Sequence, residues 1–131
     1  IGYEIVPGVT SAMAAAAAAG IPLTRRLTAR RVQFVTGHDA TGALPEDLNL
    51  GALADPTATT VIFMGKRTFA ELSRRLRDAG LPPETPALLA ESVSTPAQKL
   101  VRGTLGSMQS LIESEAGDGP ALILVGPLAE G

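Results

Sequence analysis

The sequence predicts an α/β fold with a mixed sheet of about five strands flanked by helices. Two observations favour this fold class: apolar strand-like runs alternate with helical segments along most of the chain, and residues 87–104 hold two strands in succession. Alternation is typical of parallel strands joined through helices, whereas successive strands pair antiparallel. The 131 residues, 45% of them hydrophobic, form one domain large enough to bury a core.

Strand-like alternation over residues 1–6 leads into an alanine-rich segment that predicts the first helix. Thr10 or Ser11 can cap its start through a hydroxyl, and Gly20 can end it in a left-handed conformation. Because the segment is apolar all round, a helix buried on every side is expected. The N–H groups of its first turn are suited to electron-rich ligand atoms, although a plain packing helix is the simpler interpretation.

The rest of the chain predicts further elements in order. Thr68 with Glu71 three residues later forms a capping-box pattern before an amphipathic helix. The alternation over residues 98–104 indicates a half-exposed edge strand, and residues 39–48 indicate a loop. Strands are predicted at residues 32–36, 59–64, 87–93, 98–104 and 121–125, and helices at residues 50–54, 69–79 and 105–112.

Glycine follows three of the predicted strands, at Gly37, Gly65 and Gly126. In open α/β sheets ligands bind beyond the carboxyl ends of the strands, where glycine lets the backbone approach them. The pattern therefore predicts a ligand-binding edge without identifying the ligand.

Composition disfavours several classes of function. A net charge of −2, with three Phe, one Tyr and no Trp, is unlike a nucleic-acid-binding protein. The absence of cysteine excludes disulfides and thiolate metal sites, and a single histidine leaves no metal site to expect. No apolar run approaches the roughly 20 residues of a membrane span, so no membrane partner is expected. Since no signal peptide is visible, a cytoplasmic location is expected.

Three groups of side chains could carry chemistry, and each has an ordinary structural interpretation beside the functional one. His38 could act as a general base next to Asp39, but a loop or structural role is favoured because adjacent residues rarely orient one another. Met64 could pack a flat heteroaromatic ring, although core packing is favoured from the residue alone. No catalytic residue is identified.

The third group is a cluster of arginines between the first helix and the first strand. Arginine side chains bind carboxylates through paired N–H donors, so a polycarboxylate ligand would suit the cluster. A solvated charge run is the alternative. The two interpretations are even for Arg26, and solvation is favoured for Arg25, Arg30 and Arg31.

Four segments, taken together, resemble the tetrapyrrole methylases, and more narrowly the second domain of their uroporphyrinogen-III C-methyltransferase branch. Residues 91–98, 103–105 and 122–126 continue the likeness, which covers essentially the whole chain. The four segments, in order, are residues 6–12 (VPGVTSA), 20–26 (GIPLTRR), 34–38 (FVTGH) and 61–65 (VIFMG).

The resemblance implies a transferase that uses S-adenosylmethionine to methylate uroporphyrinogen III to precorrin-2, releasing S-adenosylhomocysteine. It also implies a homodimer with the cofactor in a cleft between two α/β domains. Arg26 matches the family's arginine and is the candidate for a substrate carboxylate. By position, the cofactor-binding candidates are Thr10, Ser11, Met64, Gly65 and Val93.

The chain departs from the family pattern at two positions. Val93 stands where the family usually has glycine, and Arg25 stands where it often has histidine. No counterpart of the family's first domain is recognisable, so residues 1–131 are interpreted as the second domain alone, inactive by itself. A non-catalytic dimerisation or interaction module, and a methylase of a later corrin precursor, are the alternatives.

Overall fold

A single five-stranded sheet in the order β1-β2-β5-β3-β4 organises the computed structural model, which describes residues 2–130. Strands β1 and β2 are parallel, whereas β5 runs antiparallel to both of its neighbours and β4 runs antiparallel to β3. The predicted mixed α/β sheet is confirmed. The strands are β1 Arg31–Thr36, β2 Ala58–Phe63, β3 Pro86–Glu91, β4 Lys99–Thr104 and β5 Ala121–Val125.

The helices cover both faces of the sheet and create two hydrophobic clusters. Neighbouring strand residues point to opposite faces, so Ile62 packs in the cluster with α3 while Val61 packs in the cluster with α1. The helices are α1 Ser11–Ala19, α2 Leu50–Leu53, α3 Phe69–Asp78 and α4 Met108–Glu115, followed by a 3-10 turn at Pro127–Glu130. Among residues 2–130, no helix is long and apolar enough to cross a membrane.

The alanine-rich helix α1 begins and ends as predicted but is buried on one face only. The Thr10 Oγ1 atom accepts a hydrogen bond from the Ala12 N–H at 3.3 Å, and Gly20 ends the helix with φ 72°. Ala12 and Ala15 are fully buried against the sheet, whereas Met13 is 51% exposed. The expectation of burial on every side was wrong, because within residues 2–130 only the sheet covers this helix.

The predicted strand over residues 1–6 is absent from residues 2–6, and Ile1 lies outside the described residues. Tyr3, Ile5 and Val6 are between 76% and 89% exposed. Alternation in sequence forms a strand only where a neighbouring strand accepts its hydrogen bonds. No strand among the described residues pairs with this segment.

One of the three strand-ending glycines lies away from the predicted ligand edge. Gly37 and Gly65 follow the parallel strands β1 and β2 and share one edge of the sheet. Gly126 follows β5, which runs the other way, so it lies at the opposite edge with φ 149°. A Cβ there would lie 2.6 Å from the Ala58 carbonyl oxygen, so this glycine serves close packing.

The capping box predicted at Thr68 and Glu71 does not form. The Thr68 hydroxyl makes no capping hydrogen bond and instead donates to the Gly37 carbonyl oxygen at the end of β1. The Glu71 carboxylate accepts from Arg75 at 2.7 Å, one helical turn later. The prediction was wrong because a tertiary partner, invisible in local sequence, competes for the hydroxyl.

We expect Thr68→Val to lower the free energy of unfolding by about 1–3 kcal/mol, since it removes a donor from the Gly37 carbonyl at a buried site. Glu71→Ala should lower it by about 0.5 kcal/mol or less, because its ion pair with Arg75 is partly exposed. Urea unfolding of the two variants measures both values. A larger loss in Glu71→Ala than in Thr68→Val would instead indicate that Glu71 caps the helix.

Candidate functional site

A cavity of about 340 Å³ lies where β2 and β3 end, β5 begins and α1 begins. Three sequence-predicted cofactor residues line it: Ser11 opens α1, Met64 follows β2 and Val93 stands two residues after β3. These residues are far apart in sequence, and the fold brings them to one concave surface. The other lining residues are Phe63, Ala90, Ser92, Thr95, Pro120, Ala121 and Leu122.

The other two cofactor candidates, Thr10 and Gly65, support the cavity from behind its lining. Thr10 caps α1 and so fixes the first turn, where Ser11 stands. Gly65 lies so close to Gly37 that a Cβ on Gly37 would be 2.6 Å from the Gly65 Cα. A Cβ on Gly65 itself would lie 2.6 Å from a methyl of Ile62. Both glycines therefore allow β1 and β2 to end in close contact.

Backbone strain concentrates at this cavity. Met64 has φ 54° and Ser92 has φ 51°, and both line the cavity, while Ser94 close by has φ 66°. These three are the non-glycine residues with positive φ among residues 2–130. Left-handed backbone at a non-glycine residue costs about 1–3 kcal/mol and clusters at ligand sites. The bend at Met64 turns the chain out of β2 and leaves its side chain 52% exposed over the cavity.

The start of β5 contributes lining residues that the sequence reasoning missed. Pro120 was interpreted only as part of a breaker, and Ala121 only as the first residue of a buried strand. Their role depends on β5 running antiparallel between β2 and β3, which places its start beside their ends. The two strands in succession indicated that β3 and β4 pair antiparallel, but no local pattern recorded that β5 would run between β2 and β3.

Arg26 lies at the opposite edge of the sheet from this cavity. It lines a second cavity of about 430 Å³ beside the starts of β1 and β2, together with Leu27, Thr28, Arg30, Arg31, Asp55 and Thr57. A six-residue strand separates the two edges, a distance of roughly 20 Å. The fold therefore does not bring Arg26 together with Ser11, Met64 and Val93, and its role in substrate binding stays a prediction.

Within the arginine cluster the side chains have different surroundings. Arg31 forms an ion pair with Asp55 at 3.0 Å and donates to the Ala52 carbonyl. Hydrogen bonds from Thr57, with the charge of Arg31, hold the pKa of Asp55 below its ordinary value. Arg26 has no hydrogen bond or ion pair through its side chain among residues 2–130. Its guanidinium is thus free to meet an anion.

Within residues 2–130, no carboxylate forms a hydrogen bond or ion pair with the His38 ring. The Asp39 carboxylate instead accepts hydrogen bonds from Thr41 and Ala43 in its own loop, and the bonds from Thr41 lower the pKa of Asp39. The Nδ1 atom of His38 lies 3.0 Å from the Asp39 backbone oxygen. This geometry supports the structural interpretation over a paired general base. Among residues 2–130, no group of three or more His, Cys, Asp or Glu side chains could hold a metal ion.

A partly buried ion pair stands directly behind the first cavity. Lys66 Nζ lies 2.9 Å from Oε2 of Glu91, whose side chain is 6% exposed. Burial by itself would raise the pKa of Glu91. Hydrogen bonds from Lys66 and from the Gly117 N–H, with the charges of Lys66 and Lys99, outweigh it and hold that pKa below its ordinary value. Glu91 is therefore ionised at neutral pH.

Comparison with known proteins points to one family. The sequence profile of the tetrapyrrole (corrin/porphyrin) methylases matches residues 1–109. The chain is 46% identical over 130 residues to siroheme synthase of Chromobacterium violaceum, covering 99% of this chain and 27% of that protein. It is 38% identical to the chloroplastic S-adenosyl-L-methionine-dependent uroporphyrinogen III methyltransferase of Arabidopsis thaliana, covering 99% and 35%. The chain thus spans about a quarter to a third of these relatives.

Solved structures show the same likeness. Cobalt precorrin-4 methyltransferase superposes with a TM-score of 0.87 at 30% identity, over 98% of this chain and 53% of that one. Uroporphyrin-III C-methyltransferase from Thermus thermophilus, complexed with S-adenosyl homocysteine, superposes with a TM-score of 0.73 at 31% identity, over 95% and 52%. Both likenesses cover about half of the solved chain.

We expect Glu91 to contribute to acid unfolding. Its pKa in the folded chain lies below its ordinary value of 4.5, so its contribution to stability is complete above that pH. The contribution is lost as pH falls through the lowered folded pKa. Urea unfolding from about pH 7 down to about pH 3 should show wild type more stable than Glu91→Gln at neutral pH, with the difference shrinking in acid. A difference independent of pH would contradict this linkage.

Proposed function

Because the chain belongs to the tetrapyrrole (corrin/porphyrin) methylase family, we propose that it forms one wall of the methyl-donor site in a uroporphyrinogen-III C-methyltransferase. S-adenosylmethionine is the methyl donor of this family, whose members methylate tetrapyrroles on the routes to sirohaem and cobalamin. The observation that carries the proposal is the convergence of Ser11, Met64 and Val93 on one cavity.

The lining of this cavity fits a nucleoside with a sulfur-bearing side chain. Most of the lining is apolar, which suits a flat base, and Met64 offers a polarisable thioether beside it. Ser11 adds a hydroxyl at the first turn of a capped helix, where backbone N–H groups lack helical partners. Among residues 2–130, no side chain fills the cavity. The cofactor-binding residues we propose are Thr10, Ser11, Met64, Gly65 and Val93.

When bound, S-adenosylmethionine supplies an electrophilic methyl group. The residues of this chain contribute orientation, since a methyl transfer between two bound reactants is accelerated chiefly by their alignment. Met64 covers the cavity from β2, and Pro120 and Ala121 close it from β5. The strained backbone at Met64 and Ser92 holds these groups in place before any ligand arrives. We propose no catalytic acid or base in this chain.

Val93 is the position at which this wall departs from the resemblance. Its side chain is half-buried, lines the cavity and packs against the cluster beneath α1. A backbone contact with the cofactor would survive in place of the family's usual glycine. The valine side chain narrows the space available to the ligand.

Substrate choice is the finer part of the proposal. Uroporphyrinogen III is favoured because the relative named for it is 38% identical across 99% of this chain. A methylase of a later corrin precursor is the second candidate, favoured by the TM-score of 0.87 to cobalt precorrin-4 methyltransferase. We propose Arg26 as the contact for a substrate carboxylate, and its free guanidinium supports this assignment.

We propose a cytoplasmic homodimer in which a first α/β domain supplies the opposite wall of the cleft. The exposed Met13 on α1 and the exposed apolar residues Ile5 and Val9 lie next to the segment that carries Ser11. Such a surface suits contact with another domain or copy. A non-catalytic module, in which this surface serves association alone, is the competing proposal.

Binding of S-adenosylhomocysteine tests the donor site. We expect the ¹⁵N-labelled chain to show ligand-dependent shifts at Ser11, Met64 and Val93. Val93→Phe should weaken binding by at least about tenfold, since a larger side chain at this lining position on the α1 side of the sheet fills the cavity. Thr28→Phe, which fills the arginine cavity instead, is the matched control and should bind like wild type. Shifts confined to the arginine cavity would place the ligand elsewhere and contradict the proposal.

We expect the 131-residue chain alone to bind the cofactor weakly and to methylate nothing, because one wall of a cleft cannot align two reactants. Calorimetry with S-adenosylhomocysteine and a turnover assay with uroporphyrinogen III measure the two properties. Micromolar binding together with measurable methylation would overturn this expectation.

A further inference from the structure

Three strand ends carry the walls of the donor cavity, and one ion pair connects all three. Lys66 stands two residues after Met64 on the segment leaving β2, and Glu91 is the last residue of β3. The turn formed by residues 117–119 leads directly into Pro120 at the start of β5. We call Lys66, Glu91 and this turn the clasp.

Every donor of the lysine ammonium is used within the clasp. Lys66 Nζ donates to Oε2 of Glu91 at 2.9 Å, to the Gly117 carbonyl at 2.7 Å and to the Gly119 carbonyl at 2.9 Å. An ammonium has three N–H donors, so all of them are satisfied. The Glu91 carboxylate in turn accepts from the Gly117 N–H at 2.9 Å. The pair therefore holds the turn from both its N–H and its carbonyl side.

The turn has little else to hold it. Within residues 2–130, its backbone makes no hydrogen bond to another backbone group. The flanking bonds join the Ala116 N–H to the Ile112 carbonyl and the Ser92 N–H to the Pro120 carbonyl. The turn also packs closely against Glu91 and Ser92. A Cβ on Gly117 would lie 2.9 Å from Oε1 of Glu91, and one on Gly119 would lie 2.2 Å from the Ser92 hydroxyl.

We propose that Lys66 and Glu91 are positioning residues of the methyl-donor site, which fix Pro120 and Ala121 against the Met64 and Ser92 walls before the cofactor binds. The inference rests on the proposed function, because it assumes that the cavity is the donor site. Its physical basis is preorganisation: a wall that is already ordered loses less conformational entropy on binding, and the ligand binds more tightly.

A purely structural role predicts a different result. An ion pair that only stabilises the fold would change the unfolding midpoint and leave the affinity of the folded chain unchanged. A positioning role changes the affinity of folded protein, and it does so without contact between Lys66 and the ligand. Lys66 does not line the donor cavity; it lines an adjoining cavity of about 210 Å³ that shares Met64, Pro120 and Ala121 with it.

The test is Lys66→Met, which keeps the length of the side chain and removes the ammonium. Arg74→Met is the matched control, because it removes an exposed cation whose ion pair is with Asp78 on α3 and not with the turn. Titration with S-adenosylhomocysteine, followed by ¹⁵N shifts on folded protein, should show affinity about tenfold weaker in Lys66→Met and unchanged in Arg74→Met. Leu76→Ala, a core truncation in α3, controls for lost stability alone and should bind like wild type.

Wild-type affinity in folded Lys66→Met would overturn the positioning role. A second measurement needs no ligand: amide exchange at Gly117 and Ser92 should become faster in Lys66→Met, while exchange in α3 stays unchanged. Failure of wild type to bind S-adenosylhomocysteine would instead contradict the proposed donor site. Even then, unchanged amide exchange at Gly117 and Ser92 in Lys66→Met would contradict the positioning role of Lys66 and Glu91. Failure of the donor site and failure of the positioning role therefore give different results.

Discussion

The insertion of β5 antiparallel between two strands that run the same way is the constraint on which this structure depends. In the register of the sheet, Ile123 of β5 lies between Ile62 of β2 and Leu89 of β3, and all three side chains are fully buried. This arrangement satisfies both hydrogen-bonding edges of the central strand. It also brings two carboxyl ends and one amino end to the same edge of the sheet, where the cavity lined by Ser11, Met64 and Val93 forms.

A cavity built at such a junction consists largely of backbone and small side chains. Gly37 and Gly65 let two strand ends touch, while Met64 and Ser92 turn sharply through left-handed conformations. Burial of the sheet stabilises these bends, since the strands on either side are held by ladders and core packing. The cavity is thus shaped largely by backbone geometry, and the Lys66–Glu91 ion pair lies beside it, with Lys66 lining an adjoining cavity.

The positive charge of the chain is concentrated at the other edge. Arg31 is fixed by Asp55, and Arg26 projects without a partner among the described residues. The two edges are separated by the length of a strand, so a donor in the first cavity and an anion at Arg26 do not meet within one copy of this chain. Under the proposed function, a symmetric assembly or a second domain would have to bring the two features to one substrate.

The sequence by itself determined the elements and their order. The caps of α1 at Thr10 and Gly20, the amphipathic pattern of α3 and the apolar run of β5 depend on neighbours within one turn or one strand, so local patterns predict them. The shared site of Ser11, Met64 and Val93 came from resemblance, and the fold then brought the three together. Tertiary structure alone decided three further features. The first is the direction of β5, which places Gly126 at the far edge of the sheet. The others are the hydrogen-bond partner of the Thr68 hydroxyl and the ion pair between Lys66 and Glu91. Each of these joins residues at least 25 positions apart, and a contact at that separation is set by strand order and direction, which no local pattern records.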